Sequence, residues 1–269
     1  MYGLLDNLTP ELGFEIDLPF EIFATSFNLP EPAADEEEEE ISAEGLAALL
    51  YTKEAECPVC RAKFNNTLVR ESKLRLSHMD ELRPVYRGFE PLCYGITMCT
   101  TCGYAAFKDR FDVISDRQRE TLLQHLRINY ANFMPASYPM ELDEKMGIER
   151  FKYALLTAYI KKVSLGEKAM LLTKTAWLYK AMGDEVNTSL FSKYANDVWT
   201  QAYQSERFPI FGLSEATVHF LLARFAFDLG DHGTSLRFLS QIIVDQNLST
   251  RMRDMARDLK EQINQTRTE

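Results

Sequence analysis

Two cysteine pairs constrain this chain more than any other feature. Cys57-Pro58-Val59-Cys60 and Cys99-Thr100-Thr101-Cys102 are separated by 38 residues. Zinc takes four tetrahedral ligands, and thiolate is among its preferred donors. A CxxC turn aims two sulfurs and nearby backbone N–H groups at one point, so two such turns at strand ends supply a complete set: Cys57, Cys60, Cys99 and Cys102. A saturated tetrahedron leaves no position for water or substrate. The ion is then structural, and its binding energy is folding energy. Iron accepts the same four ligands and stays open as an alternative.

The residue behind such a turn often needs a positive φ, which Gly103 supplies and Arg61 does not. The gap exceeds the ~15–20 residues usual between zinc-binding pairs, so a hairpin or longer excursion fits between them. The fifth cysteine, Cys93, reads as a small strand side chain. His78 lies between the pairs but is unneeded once four thiolates are present. His125, His219 and His232 fall in helical segments, where core or surface roles are expected.

The net charge of −10 is unevenly spread. Residues 1–56 carry −14, residues 57–110 carry +4, and the remainder is neutral. The run EPAADEEEEE at 31–40 repels itself and has nothing to bury, which marks residues 1–41 as an acidic, flexible appendage. No apolar run reaches 18 residues, and the N-terminal stretch has neither the positive charge nor the apolar stretch of a secretory signal. A cytoplasmic location is expected, where thiols stay reduced and paired CxxC units bind metals.

The periodicity then changes along the chain. Ser42–Lys53 reads as a short helix capped by Ser42. Thr67–Leu76 and Leu92–Met98 read as strands, the second from alternating Leu92, Tyr94, Ile96 and Met98. Ser115 and Gln118 form a capping box that opens a helix. Six more helices are predicted over 148–162, 167–182, 185–204, 215–229, 233–245 and 251–263. Ser214 and Thr250 are the expected caps of the fourth and the last. The stripe expected to face the core of 185–204 is Val186, Leu190, Tyr194, Val198 and Ala202. An echo links two hairpins: Ala176-x-x-Tyr179-x-x-x-Gly183-Asp184 returns 47 residues later as Ala223-x-x-Ala226-x-x-x-Gly230-Asp231. Alanine permits close helix approach and Gly-Asp turns the chain back, as in tetratricopeptide-like hairpins.

The predicted fold class is α+β, mostly α. It comprises an acidic segment (1–41), a small β zinc-ribbon-like module with a preceding helix (42–112), and a tetratricopeptide-like α-helical hairpin domain (113–269). CPVC, VRESKLRL, the run Asp80–Tyr86, Pro91-Leu92-x-Tyr94, CTTCGYAAFKDRF and Ala176-Trp177-Leu178-Tyr179 together resemble one bacterial family, domain of unknown function 2225, over about residues 55–262. That family typically has glycine after its first CxxC and proline after the first cysteine of its second, where this chain has Arg61 and Thr100. The resemblance implies architecture and no activity.

Three functions are weighed. The leading expectation is a non-enzymatic, zinc-stabilised adaptor that binds a protein or peptide partner in a helical groove, with Trp177, Trp199 or Tyr203 as anchors. The alternative is nucleic-acid binding through Arg70, Lys73, Arg75, Arg83 and Arg87, with Tyr86 or Phe89 stacking on bases. A zinc tetrathiolate would cut the segment's +4 to about +2, a modest footprint. The weakest is a metal-dependent enzyme: the sequence contains no G-x-x-x-x-G-K, G-x-G-x-x-G, H-E-x-x-H or G-x-S-x-G.

Overall fold

The computed structural model describes residues 43–130 and 139–266. The acidic segment 1–41 and the cap Ser42 lie outside them. Helix α1 (Ala43–Leu49) runs directly into strand β1 (Leu50–Glu56), which pairs antiparallel with β2 (Lys63–Val69), Leu50 opposite Val69 and Glu56 opposite Lys63. The helix expected over Ser42–Lys53 therefore stops four residues early. Tyr51 and Thr52 suit a pleated strand, and pairing with β2 outweighs the weak helical preference of a short segment.

The strand expected over Thr67–Leu76 is broken in two. A 3-10 turn at Glu71–Lys73 separates β2 from β3 (Leu76–Asp80), which forms a hairpin with β4 (Arg83–Tyr86). Leu92–Tyr94, read as strand, belongs instead to a 3-10 turn over Pro91–Tyr94. Pro91 favours the start of that turn, and the Glu90 carboxylate accepts a hydrogen bond from Leu92 N at 3.0 Å. Only β5 (Ile96–Met98) is extended, and it pairs with β6 (Ala105–Phe107).

Helix α2 (Asp116–Tyr130) opens at the expected box. Ser115 Oγ accepts from Gln118 N at 3.3 Å, and Gln118 Oε1 accepts from Ser115 N at 3.0 Å. Helix α3 (Glu144–Lys161) is buried along most of its circumference, including Ile148, Phe151, Leu155 and Ala158 on the predicted face. It packs on β5 and β6, where the Phe107 and Phe151 rings meet edge-on at 6.2 Å and Thr157 Oγ1 donates to the Ala105 carbonyl. The remaining helices are α4 (Leu165–Ala181), α5 (Glu185–Ser205), α6 (Glu215–Asp228), α7 (His232–Val244) and α8 (Thr250–Thr266).

Two compact units result. One ends at Lys162 and includes Trp177–Glu185; the other comprises Val163–Ala176 and Val186–Glu269. Helix α3 packs on β5, β6 and the Pro91–Tyr94 turn, and α2 packs on α3, so both helices belong with the hairpins to the first unit.

In the second unit α6 lies along α7, and α8 closes against both. Ser235 is buried and donates to the Ala223 carbonyl at 2.7 Å, so two small residues bring α6 and α7 together. The 47-residue echo is structural. Gly183 and Gly230 both adopt positive φ, 70° and 80°, and the following aspartate N–H reaches back to the Tyr179 and Ala226 carbonyls at 3.0 and 2.8 Å. Ser214 caps α6 through Thr217 N. The last helix is capped by Ser249, which accepts from Met252 N, and Thr250 is its first residue. The buried face of α5 is rotated from expectation. Asn187, Phe191, Ala195, Val198, Trp199 and Ala202 are buried, whereas Val186 is 64% exposed.

Candidate metal centre

Each cysteine pair forms the tip of a hairpin. β1 delivers Cys57 and β2 leaves after Ala62; β5 delivers Cys99 and β6 leaves after Tyr104. The two tips share one backbone plan. Cys57 N donates to the Ala62 carbonyl and Arg61 N to the Cys57 carbonyl, both at 2.9 Å. Cys99 N donates to Tyr104 and Gly103 N to Cys99, again both at 2.9 Å. Arg61 and Gly103 take φ of 64° and 75°. The 38-residue gap therefore contains the exit of one hairpin, the whole β3–β4 hairpin, and the entry of another.

The tips meet sulfur to sulfur. Cys57 Sγ lies 3.6 Å from Cys102 Sγ, and Cys60 Sγ lies 3.7 Å from Cys99 Sγ. All four sulfurs fall within 4.8 Å of one another. A regular tetrahedron with metal–sulfur bonds of about 2.3 Å has edges of about 3.8 Å, so the donor set fits one ion. A disulfide needs about 2.05 Å, and all five cysteines are free thiols. Cys57, Cys99 and Cys102 are buried and Cys60 is partly so.

Four thiols packed this closely oppose ionising together. Hydrogen bonds to the Cys57 and Cys99 sulfurs, together with burial, push Cys102 far above the ordinary thiol range. Hydrogen bonds from Cys102 and Cys57 hold Cys99 down at about 2. A divalent cation resolves this conflict by replacing protons with a shared positive charge.

The body of the first unit grips the tips. Arg119 Nε of α2 donates to the Val59 carbonyl between the first two ligands, at 3.0 Å. Tyr104, directly behind Gly103, is fully buried and donates its hydroxyl to the Phe111 carbonyl at 2.9 Å. Lys161 Nζ of α3 donates to that hydroxyl at 3.3 Å and to the Val113 carbonyl at 2.8 Å. Phe111 stands against both the Tyr104 and the Phe64 rings. Sequence reasoning missed Arg119 and Lys161. A basic residue on a helix usually reads as solvent-facing, and nothing in its spacing reveals a carbonyl waiting across the fold.

The other candidates separate. Cys93 lies in a 3-10 turn against Gly147 rather than on a strand, and burial pushes its thiol up. His78 is exposed on β3 beside Ser77. Of the five cations of the nucleic-acid reading, Arg70 is held by the Ala48 and Leu50 carbonyls and lies over the Tyr51 ring. Arg83 is buried in an ion pair with Glu90, while Lys73, Arg75 and Arg87 are exposed. Phe89 stacks on Tyr94 at 5.5 Å. Among the expected anchors, Trp199 is fully buried and donates Nε1 to Thr173 Oγ1 at 2.9 Å, so it is core. Tyr203 packs against Phe208, His219 and Phe238, and Trp177 is half-buried.

Comparison with known proteins adds the following. The profile of a family described as "Uncharacterized protein conserved in bacteria (DUF2225)" matches residues 50–263. An uncharacterized protein of Borreliella burgdorferi is 31% identical over 110 residues, covering 35% of this chain and 39% of its own length. The chain thus spans about two fifths of that relative. No solved structure matches.

Proposed function

The chain belongs to that family, and we propose that it is a non-enzymatic, cytoplasmic adaptor, clamped by one structural zinc ion, that binds a protein or peptide through its helical hairpins. The observation that carries this reading is the sulfur geometry: four thiol donors already stand close to the edges of one tetrahedron, so the protein itself fills the coordination sphere. An ion held in this way joins two hairpins and offers no position to a reactant. The later helices supply surface rather than chemistry. Stacked hairpins present broad solvent-facing area, and α5 and α7 each leave an apolar residue exposed at one end, Val186 and Val244, while Leu229 is exposed just beyond α6.

The test has two arms. Elemental analysis of the purified chain should give one zinc per molecule; iron, or a substoichiometric content, would overturn the zinc assignment. Capture from native lysate should then yield a protein whose recovery falls when exposed helical positions are reversed in charge, for example Lys193→Glu and Arg237→Glu. Recovery indifferent to both changes removes the helical surface from the binding site.

A nucleic-acid reading keeps one specific support. The Arg87 N–H donates to the Arg75 carbonyl at 3.1 Å, which sets these two exposed cations side by side near Lys73. Binding at this place would weaken steeply with salt, and a flat salt response discards it.

A further inference from the structure

A cavity of about 280 Å³ opens beside the second cysteine turn, within the first unit. Its polar wall comes from Lys63, Asn65, Asn66 and Thr67 of β2, Thr100 of the turn, and Arg150 of α3. Phe64 and Met98, both buried, supply apolar surface. Among the described residues that line it, none is acidic.

Arg150 is the unusual member. It is only 5% exposed, and placing a guanidinium out of water costs several kcal/mol before any compensation. Burial suppresses the acidity of the nearby Tyr94 hydroxyl, and the Leu142 N–H, with a smaller effect from the Arg150 charge, acts against it. That hydroxyl accepts a hydrogen bond at 2.8 Å from the backbone of Leu142, which also lines the cavity. Asn66, also buried, donates Nδ2 to Thr97 Oγ1 at 3.3 Å, which fixes the orientation of its amide. Lys63 stands at an exposed position, with Glu54 at 3.1 Å on the neighbouring strand and outside the lining. The wall therefore carries the Arg150 guanidinium, two amides and two hydroxyls, with the Lys63 ammonium at its rim shared with Glu54. This combination rewards an anion with oxygen acceptors and penalises cations.

At roughly 30 Å³ per water, the space equals about nine waters, enough to receive a group of about that many non-hydrogen atoms.

The geometry points to a binding site for a small organic anion, a carboxylate or phosphate monoester, with Arg150 receiving the charged group and Asn65, Asn66, Thr67 and Thr100 recognising its oxygens. The assignment stands apart from the adaptor reading and holds whether or not the helices bind a partner.

The experiment uses the full metal-loaded chain, titrated with inorganic phosphate and with succinate while amide resonances are followed, and with neutral succinamide as control. At least one anion should saturate with Kd below about 1 mM, and shift the resonances of Asn65, Asn66, Thr67 and Thr100, while succinamide does not. Asn65→Asp places a carboxylate at the exposed rim and should weaken binding several-fold without disturbing the fold. Arg150→Gln should weaken it by roughly tenfold or more. If Arg150→Gln fails to fold, Asn65→Asp decides the matter. Equal response to succinamide, shifts scattered away from the cavity, or unchanged affinity in Asn65→Asp would each overturn the site. So would anion affinity left intact in a folded Arg150→Gln.

Discussion

Arg61 and Gly103 occupy the same place in the two cysteine turns and share a left-handed backbone, φ 64° and 75°. In each case the N–H points back to the carbonyl of the first cysteine of its pair, at 2.9 Å. Glycine enters this region freely, whereas an L side chain pays about 1–2 kcal/mol there. Part of that is returned because glycine loses more entropy on folding. Arg61→Gly should therefore stabilise the metal-loaded chain by about 0.5–1 kcal/mol, and Gly103→Ala should destabilise it by a similar amount or more. Urea unfolding midpoints measure both. A lower midpoint in Arg61→Gly would show that the Arg61 side chain contributes more than its backbone costs.

Metal loading should release protons. Against the pull of its hydrogen bond with Cys102, the hydrogen bond with Cys99 and then burial push Cys57 up to about 12. Cys102 is higher still, while Cys99 is already ionised at neutral pH. Zinc requires four thiolates, so binding at pH 7 should displace at least the two protons held by Cys57 and Cys102. Calorimetry in buffers of different ionisation enthalpy counts them, and a count of zero contradicts the arrangement. The sign with pH follows: acid restores thiols and expels the ion. Chelation or acidification should abolish hydrogen-exchange protection in β1, β2, β5 and β6. Protection in α6 and α7, whose contacts lie in the other unit, should persist.

The cluster was legible because CxxC is a local motif whose geometry travels with its sequence, and the helical hairpins because a stripe of period 3.6 survives any neighbour. What was not legible depended on partners distant in the chain. Leu50–Lys53 could extend α1 on propensity alone, and only pairing with Lys63–Val69 makes it strand. The α5 stripe was read one residue out of phase, since Asn187 and Ser192 are polar yet buried, and Val186 is apolar yet exposed. Arg119, Arg150 and Lys161 look like surface cations until the fold places a carbonyl or a cavity beside them.

Asp231 caps α7, its carboxylate accepting from Thr234 N at 2.9 Å. That hydrogen bond holds its pKa below the ordinary carboxylate value. Asp231→Ala should cost about 1 kcal/mol at neutral pH. Because the folded pKa is the lower one, the contribution is complete above the unfolded value of about 4 and fades as pH falls through the folded value. The difference between wild type and Asp231→Ala should therefore shrink in acid. A difference that is constant from pH 7 to pH 3 would mean that the loss is not of a charged cap.

Arg83 and Glu90 form an ion pair whose side chains are only 8% and 15% exposed, and Glu90 also accepts from Leu92 N at 3.0 Å. The pair ties β4 to the turn that carries Cys93. Removing one partner strands a charge away from water, which costs about 3–5 kcal/mol, whereas replacing both with apolar groups is often near neutral. Glu90→Met should therefore destabilise strongly, and Arg83→Met combined with Glu90→Met should recover most of the loss apart from the Leu92 hydrogen bond, about 1 kcal/mol. Thermal or urea unfolding of the two single variants and the double variant closes the cycle. The same variants decide what Arg83 is for: a double variant that folds and retains any nucleic-acid affinity the wild type has places Arg83 in the scaffold. A folded double variant whose salt-dependent binding falls selectively would instead return it to the recognition surface.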